Sequence, residues 1–261
     1  MPNMDAPLKL GVNLWNQYTD WPRFLEAMIE ADELGYDSLF TWDHVYPIIG
    51  SWEGPALETY TGMAAVAAHT KRATIGHLVT ANTFRNPALV AKMITTIDHI
   101  SNGRAVLGMG AAWMEPEHTG FGLEFGDRPG TRLKWLEHSL KVITGMLAGE
   151  RPSSDEGDRY AVKEALNLPA PIQQKIPILI GGSGPKVTLR LVAQYADMNN
   201  LGNPIEAIER SEPILREHCE RLGRDETTIE RTTEVQVVVI RDSRDEAVAV
   251  AQELLARGES E

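Results

Sequence analysis

At 261 residues, with 43% hydrophobic and 24% charged side chains, the chain has the make-up of one large or two small soluble globular domains with a sizeable core. A formal charge of −12 speaks against nucleic acid, whose binding draws on clustered Lys and Arg. No apolar run approaches the roughly 20 residues of a membrane helix. MPNMDAPLKL has no basic flank leading into an apolar core, and the lone Cys219 forbids an internal disulfide, so a cytoplasmic protein without an export signal is expected.

Leu8 to Leu14 is a short, mostly apolar run that reads as a buried strand. Asp20 is placed to cap a helix over Trp21 to Leu34, in which Phe24, Met28, Ala31 and Leu34 recur at helical spacing before Gly35 ends it. Ser38 to Trp42 is the next strand, with Asp43-His44 at its C-terminal end. A loop carrying Pro47, Gly50, Gly54 and Pro55 leads into a helix from about Leu57 to His69. Ala73 to Val79 gives a third strand, and Asn86-Pro87 starts a helix to Ser101 with Leu89, Met93, Ile97 and Ile100 on one face. Arg104 to Met109 is a fourth strand, followed by a long loop and a helix from about Gly130 to Leu147. Glu150 to Gln174 is irregular and polar, too long for a plain connection. Ile178 to Ile180 is a fifth strand, and Gly181 to Gly184 opens a helix from Pro185 to Tyr195. A short strand over Asp197 to Leu201, a helix from Pro204 to Leu222, a strand over Glu234 to Ile240 and a helix over Asp245 to Arg257 complete the pattern.

Strands alternating with helices call for parallel pairing with right-handed crossovers. Seven such units predict an α/β fold, a (β/α)8 TIM barrel short of its last β/α unit, as a single domain over 1–261 with an inserted segment at about 150–174. In such a barrel, function belongs to the C-terminal ends of the strands. That criterion disfavours a metal-dependent hydrolase, since Asn13, Leu14 and Trp15 stand where a His-x-His pair would close the first strand. It disfavours a Schiff-base aldolase too, because none of the strands supplies a lysine. Asp43, His44 and His77 are the nearest approach to a metal cluster, but His77 lies mid-strand and no carboxylate follows at ligand spacing, so no metal is expected.

Three places carry chemistry. The stretch from Gly103 to Gly122, GRAVLGMGAAWMEPEHTGFG, runs from a strand through Gly108 and Gly110 to Trp113, then to Glu115, Glu117 and His118. Glycine at a strand end serves a tight bend or close approach by a ligand or backbone, so this is either a glycine-rich turn before a polar loop or the rim of a planar ligand's seat. Gly181-Gly182-Ser183-Gly184 links a strand to a helix N-terminus, where free N–H groups favour an anion, and Lys186 adds charge one turn in. His44, at a strand end beside Asp43, is suited to exchange a proton; Asp43 either orients that ring or caps the loop. Glu217-His218-Cys219-Glu220 falls inside an outer helix and reads as surface.

GRAVLGMGAAWMEPEHTGFG resembles the LGxGAGWxxxEHxxFG signature of the bacterial luciferase-like superfamily, in particular its deazaflavin (coenzyme F420)-dependent oxidoreductases. SLFTWDHVYP, TANTFRNPALVAK, NLPAPIQQKIPILIGGSGPK and YADMNN agree with it in order and spacing, over roughly residues 8 to 201. The resemblance implies a flavin-like ring at the barrel mouth with His44 near its hydride-carrying carbon and Trp113 walling the substrate side. It implies a non-proline cis peptide at Leu78-Val79 behind the ring, with Thr80 and Asn82 at the ring's polar edge and Asp43, Gly110 and Ala111 lining the cofactor. Gly181, Gly182, Ser183, Gly184 and Lys186 would hold its phosphate, residues 150–174 would shape the pocket, and the molecule would be a homodimer acting on a small molecule. The chain departs from the family at Trp113, where some deazaflavin dehydrogenases carry a glutamate, and at Ala111-Ala112, where Ala-Gly is usual. The resemblance leaves an FMN-dependent monooxygenase and a non-catalytic flavin-binding protein as alternatives to F420-linked hydride transfer.

Overall fold

The computed structural model describes residues 8–202, 205–235 and 239–258. Its strands are β1 (Gly11–Asn13), β2 (Ser38–Thr41), β3 (Thr74–His77), β4 (Thr80–Ala81), β5 (Ala105–Gly110), β6 (Ile178–Gly181), β7 (Met198–Asn200) and β8 (Glu230–Thr232). All pair in parallel, in the order β1-β2-β3-β5-β6-β7-β8, with β4 continuing the β3 path alongside β5. The helices are α1 (Trp21–Leu34), α2 (Thr59–His69), α3 (Pro87–Ser101), α4 (Glu115–Phe121), α5 (Pro129–Leu147), α6 (Thr188–Tyr195), α7 (Ile205–Leu222) and α8 (Arg244–Gly258). This parallel α/β arrangement is TIM-barrel-like. At the two ends of the strand path, Lys9 bonds to Glu230 and Asn13 to Glu234, each at 2.9 Å, so side chains tie the first strand to the last.

Two apolar layers follow from the period-2 alternation of the strands. Phe40, Val106 and Leu179 point inward and pack with Leu78, Val79 and Met198 in the lumen. Their neighbours Leu39, Ile75, Leu107, Met109, Ile178 and Ile180 point outward and meet the helices, including Met28, Met63, Ile94, Leu140 and Val192. Gly76 leaves room for the Phe40 ring, which a Cβ there would approach to 2.9 Å.

One irregularity shapes the mouth. Gly76 pairs with Val106 and Thr80 with Met109, so three residues, 77–79, lie opposite two, 107–108. That one-residue bulge contains the cis Leu78-Val79 peptide that the family resemblance implied. The glycines of β5 are its counterpart. A Cβ on Gly108 would sit 1.9 Å from the His77 carbonyl oxygen, and one on Gly110 would sit 2.5 Å from Val79 Cγ2.

Several boundaries differ from the reading of the sequence. The last strand is Glu230–Thr232 rather than 234–240; residues 233–235, 239 and 240 are not in a strand, and 236–238 lie outside the described residues. Pro204, read as a helix start, also lies outside them. The loop after β5 contains α4, which puts Glu115, Glu117 and His118 on one short helix closed by Gly122 in the left-handed region. α6 starts at Thr188 rather than Pro185. On α3 the buried face is Val90, Ile94 and Ile97, while Leu89 and Ile100 point out, because this helix is apolar on more than one side and periodicity alone cannot choose between sides. Leu34, at the end of α1, is likewise exposed.

Candidate active site

His44 follows β2 at the C-terminal end of the sheet, and Glu117 on α4 comes up against it. The His44 Nδ1–H donates to Glu117 Oε2 at 2.9 Å, which directs the tautomer and leaves Nε2 without a protein partner among the described residues. The other Glu117 oxygen accepts the Val45 and Tyr46 N–H groups at 2.7 and 3.1 Å, so a carboxylate 1% exposed has three donors. Asn16 Nδ2 donates to the His44 carbonyl and fastens the same turn to the end of β1. Trp113 stands edge-on to the imidazole, ring centroids 5.5 Å apart, and is 62% exposed. Sequence reasoning placed Glu117 among three titratable groups but not as the partner of His44; that role was offered to Asp43.

Asp43 is bonded elsewhere. Its carboxylate accepts from Thr59 Oγ1 and the Ala81 N–H, both at 2.9 Å, and from Arg85 Nη1 at 2.7 Å. Arg85 also donates to Glu58 at 2.6 Å and lies 4.4 Å from the Tyr60 ring centre. Burial opposes the charge on Arg85, but Asp43 and Glu58 more than offset it and hold the guanidinium protonated. Glu58 caps α2 through the Tyr60 and Thr61 N–H groups, and Tyr60 Oη bonds Thr80 Oγ1 at 2.8 Å. His77 stacks on Tyr60 at 4.1 Å, and burial drives its pKa down, so it is a neutral packing group rather than a ligand. Asp43, Arg85, Tyr60 and Thr80 together tie the chain just after the bulge to the end of β2 and to α2.

Asn82 is 2% exposed and bonded to α5, donating to the Arg132 carbonyl at 3.3 Å and accepting from Ser139 Oγ at 3.0 Å. His118 donates from Nδ1 to the Met114 carbonyl and accepts from Thr83 at Nε2; burial lowers its pKa and keeps it neutral. Ala111 packs, half-buried, against the outer core. Ala112 takes φ +62°, a left-handed conformation that favours glycine. The half-buried Val79 sits at the floor of the mouth between β5 and β6: a Cβ on Gly181 would come within 3.2 Å of it.

Gly181, Gly182, Ser183 and Gly184 leave β6 at that same end. Gly182 has φ +110°, its N–H bonds the Asn200 carbonyl at 2.8 Å, and buried Asn199 donates to the Ile180 carbonyl at 2.7 Å beneath the turn. Val187, at the start of α6, provides no side-chain cap, and among the described residues the Ser183, Gly184 and Lys186 N–H groups have no protein acceptor. Lys186 is exposed beside them. His218 reaches from α7 to the Pro185 carbonyl at 2.8 Å, so it pins the turn, and Cys219 is fully buried rather than on the surface. Glycines without Cβ, unsatisfied N–H groups and a nearby ammonium suit a phosphate.

Residues 150–174 contain neither helix nor strand, yet are fastened along their length. Asp98 on α3 accepts from the Ile172 and Gln173 N–H groups and from Gln173 Nε2, and Asn167 bonds Thr95. Asp155 pairs with Lys141 of α5, and Arg159 lies over Trp135.

A parallel α/β sheet that gathers a carboxylate-backed imidazole and a glycine turn with free N–H groups at one end has the arrangement of a barrel-type enzyme. The comparisons narrow that class. The luciferase-like monooxygenase family model matches residues 9–260, and the chain belongs to that family. It is 33% identical over 238 residues to the F420-dependent glucose-6-phosphate dehydrogenase of Microbacterium testaceum, a match covering 90% of this chain and 69% of that protein. It is 32% identical over 271 residues to the pyrimidine monooxygenase RutA of Stutzerimonas stutzeri, covering 97% and 72%. Its fold superposes on the coenzyme F420-dependent tetrahydromethanopterin reductase from Methanopyrus kandleri with a TM-score of 0.75 at 22% identity, over 93% of this chain and 70% of that one.

Proposed function

We propose that the protein is an oxidoreductase that moves a hydride between coenzyme F420 and a small organic substrate, with His44 as the proton partner. The observation that carries this is the His44–Glu117 pair set at the same end of the sheet as the Gly181–Gly184 cradle. When bound, the deazaflavin supplies or accepts the hydride. His44 Nε2 gives or takes the matching proton; Glu117 fixes the ring and stabilises the imidazolium. Val79 forms the floor, Gly110 gives it room, and Ala111 precedes the turn that presents Trp113. Gly181, Gly182, Ser183, Gly184 and Lys186 hold the phosphate. Asp43, Thr80 and Asn82, with side chains bonded to protein, act by fixing the bulge and α5 around the cofactor. An FMN-dependent monooxygenase is the second reading, favoured by the RutA likeness, which spans 97% of this chain against 90% for the dehydrogenase.

The described strands are read as seven positions of an eight-stranded barrel. A homodimer is the proposed assembly, since Leu89 on α3 and Leu166 and Leu168 beside it are 59%, 49% and 64% exposed.

His44→Ala tests the reading. Turnover followed at the F420 absorbance should fall by about 10²–10⁴-fold while F420 affinity is retained. Glu117→Gln should keep the fold but alter the pH profile of turnover, because the imidazolium loses its counter-charge. Unchanged turnover in His44→Ala removes the residue from the mechanism.

A further inference from the structure

Trp15 and Trp42 are not used by the mechanism above, yet the sheet places them over its mouth. Asn13 pairs with Phe40 across β1 and β2, and the Leu14 N–H bonds the Phe40 carbonyl at 2.9 Å, which carries the ladder one residue further. Two residues beyond Asn13 and Phe40 on the same inward face stand Trp15 and Trp42. Their rings stack at 4.9 Å and 25°, and Trp15 is 43% exposed. Asn16, next to Trp15, donates to the carbonyl of His44, two residues after Trp42. Trp113 meets the His44 imidazole edge-on from beyond the end of β5, while the Trp15–Trp42 pair follows the ends of β1 and β2. The three indoles thus come from three strand ends on the same side of the sheet.

The stretches that carry these rings lack basic side chains other than histidine. No lysine or arginine occurs in residues 10–22, 36–70 or 105–127, the stretches that carry β1, β2 and β5 with the loops that follow them. Glu53 and Glu115 lie exposed in those loops, while Arg85 is engaged by Asp43 and Glu58, and Arg132 by the Ala112 carbonyl and the Phe125 ring. These three stretches offer a phosphorylated or carboxylated substrate no lysine or arginine, whereas a flat apolar ring gains burial and stacking against indole.

We infer that the substrate of this site is an uncharged molecule bearing a flat, apolar ring system, received by the Trp15–Trp42 pair, and not a sugar phosphate. This deepens the F420 reading and rests on it for the placement of the substrate. The test is equilibrium dialysis of 2-acetonaphthone and of glucose 6-phosphate against the full chain, with and without saturating F420. Trp15→Ala is measured beside it, and Trp15→Leu covers the case that the smaller side chain costs the fold. The naphthyl ketone should bind at least about tenfold tighter than the sugar phosphate and loosen about tenfold in the Trp15 variants, with F420 affinity unchanged. Equal or tighter sugar phosphate binding, or ketone binding indifferent to the Trp15 changes, overturns the inference. So does a fall in F420 affinity in those variants, which would assign the indole pair to the cofactor. Should F420 not bind at all, the cofactor reading fails, and the ketone-to-phosphate ratio without cofactor still decides the substrate class.

Discussion

At the scale of single residues, the imidazole of His44 gains its meaning from Glu117, 73 positions away in sequence. The position of His44 just beyond the end of β2 was legible, and a barrel strand's C-terminal end is where function gathers. The partner of His44 was not: Asp43 is adjacent in sequence, but successive residues at a strand end point to opposite sides, so Asp43 turns toward Thr59, Ala81 and Arg85. Arg85 went unread as well; only the fold shows that it joins Asp43 to Glu58. Ala112 gives a test of local strain. At φ +62° a Cβ is disfavoured, so Ala112→Gly should raise stability by about 1 kcal/mol in chemical denaturation, against the usual cost of an added glycine. A loss of stability would mean that the Ala112 methyl group packs better than its backbone conformation indicates.

Among the elements, the bulge between β3 and β5 organises the mouth. The family resemblance implied its cis Leu78-Val79 peptide, while Gly108 and Gly110 were read only as opening the end of β5 to a tight bend or a close approach. Close approach by backbone, one of the two uses of strand-end glycine considered, is what Gly108 serves: its absent Cβ admits the His77 carbonyl, while that of Gly110 admits the Val79 side chain. Gly110→Ala would place a Cβ 2.5 Å from Val79 Cγ2, and a β-branched side chain has little freedom to yield. We expect a loss of about 1–3 kcal/mol in thermal or urea unfolding, together with weaker cofactor binding, because the floor itself moves. Retained stability with intact binding would show the floor to be compliant. Helices with explicit caps were read closely: Asp20 and Asn86 accept from the Arg23 and Ala88 N–H groups at 3.0 and 2.9 Å. Where no cap exists, as at Val187, the start of α6 was misplaced by three residues. α4 escaped notice because a helix of 7 residues is too short to show a period.

For the whole molecule, the alternation of strands and helices was enough to indicate parallel pairing. Strands follow chain order along the path except that β4 pairs β5 beside it, although the last strand lies at Glu230–Thr232 rather than 234–240. What the alternation could not give was the side each apolar helix face turns. α3 buries Val90, Ile94 and Ile97 and leaves Leu89 and Ile100 outside, a distribution suited to a second contact beyond the barrel. The proposed homodimer predicts a sedimentation mass of two chains and a shift toward one chain in Leu89→Glu; a single-chain mass at all concentrations would contradict it. No helix among the described residues is long and apolar enough to cross a membrane.

The account depends most on a phosphate-bearing deazaflavin lying between the Gly181 cradle and His44. Titration of the full chain with F420 and, separately, with FMN, followed by the absorbance of each, addresses that claim directly. Saturable F420 binding that weakens in Lys186→Ala, with no FMN uptake over the same concentrations, is the predicted result. FMN bound at micromolar affinity with no response to F420 would contradict it.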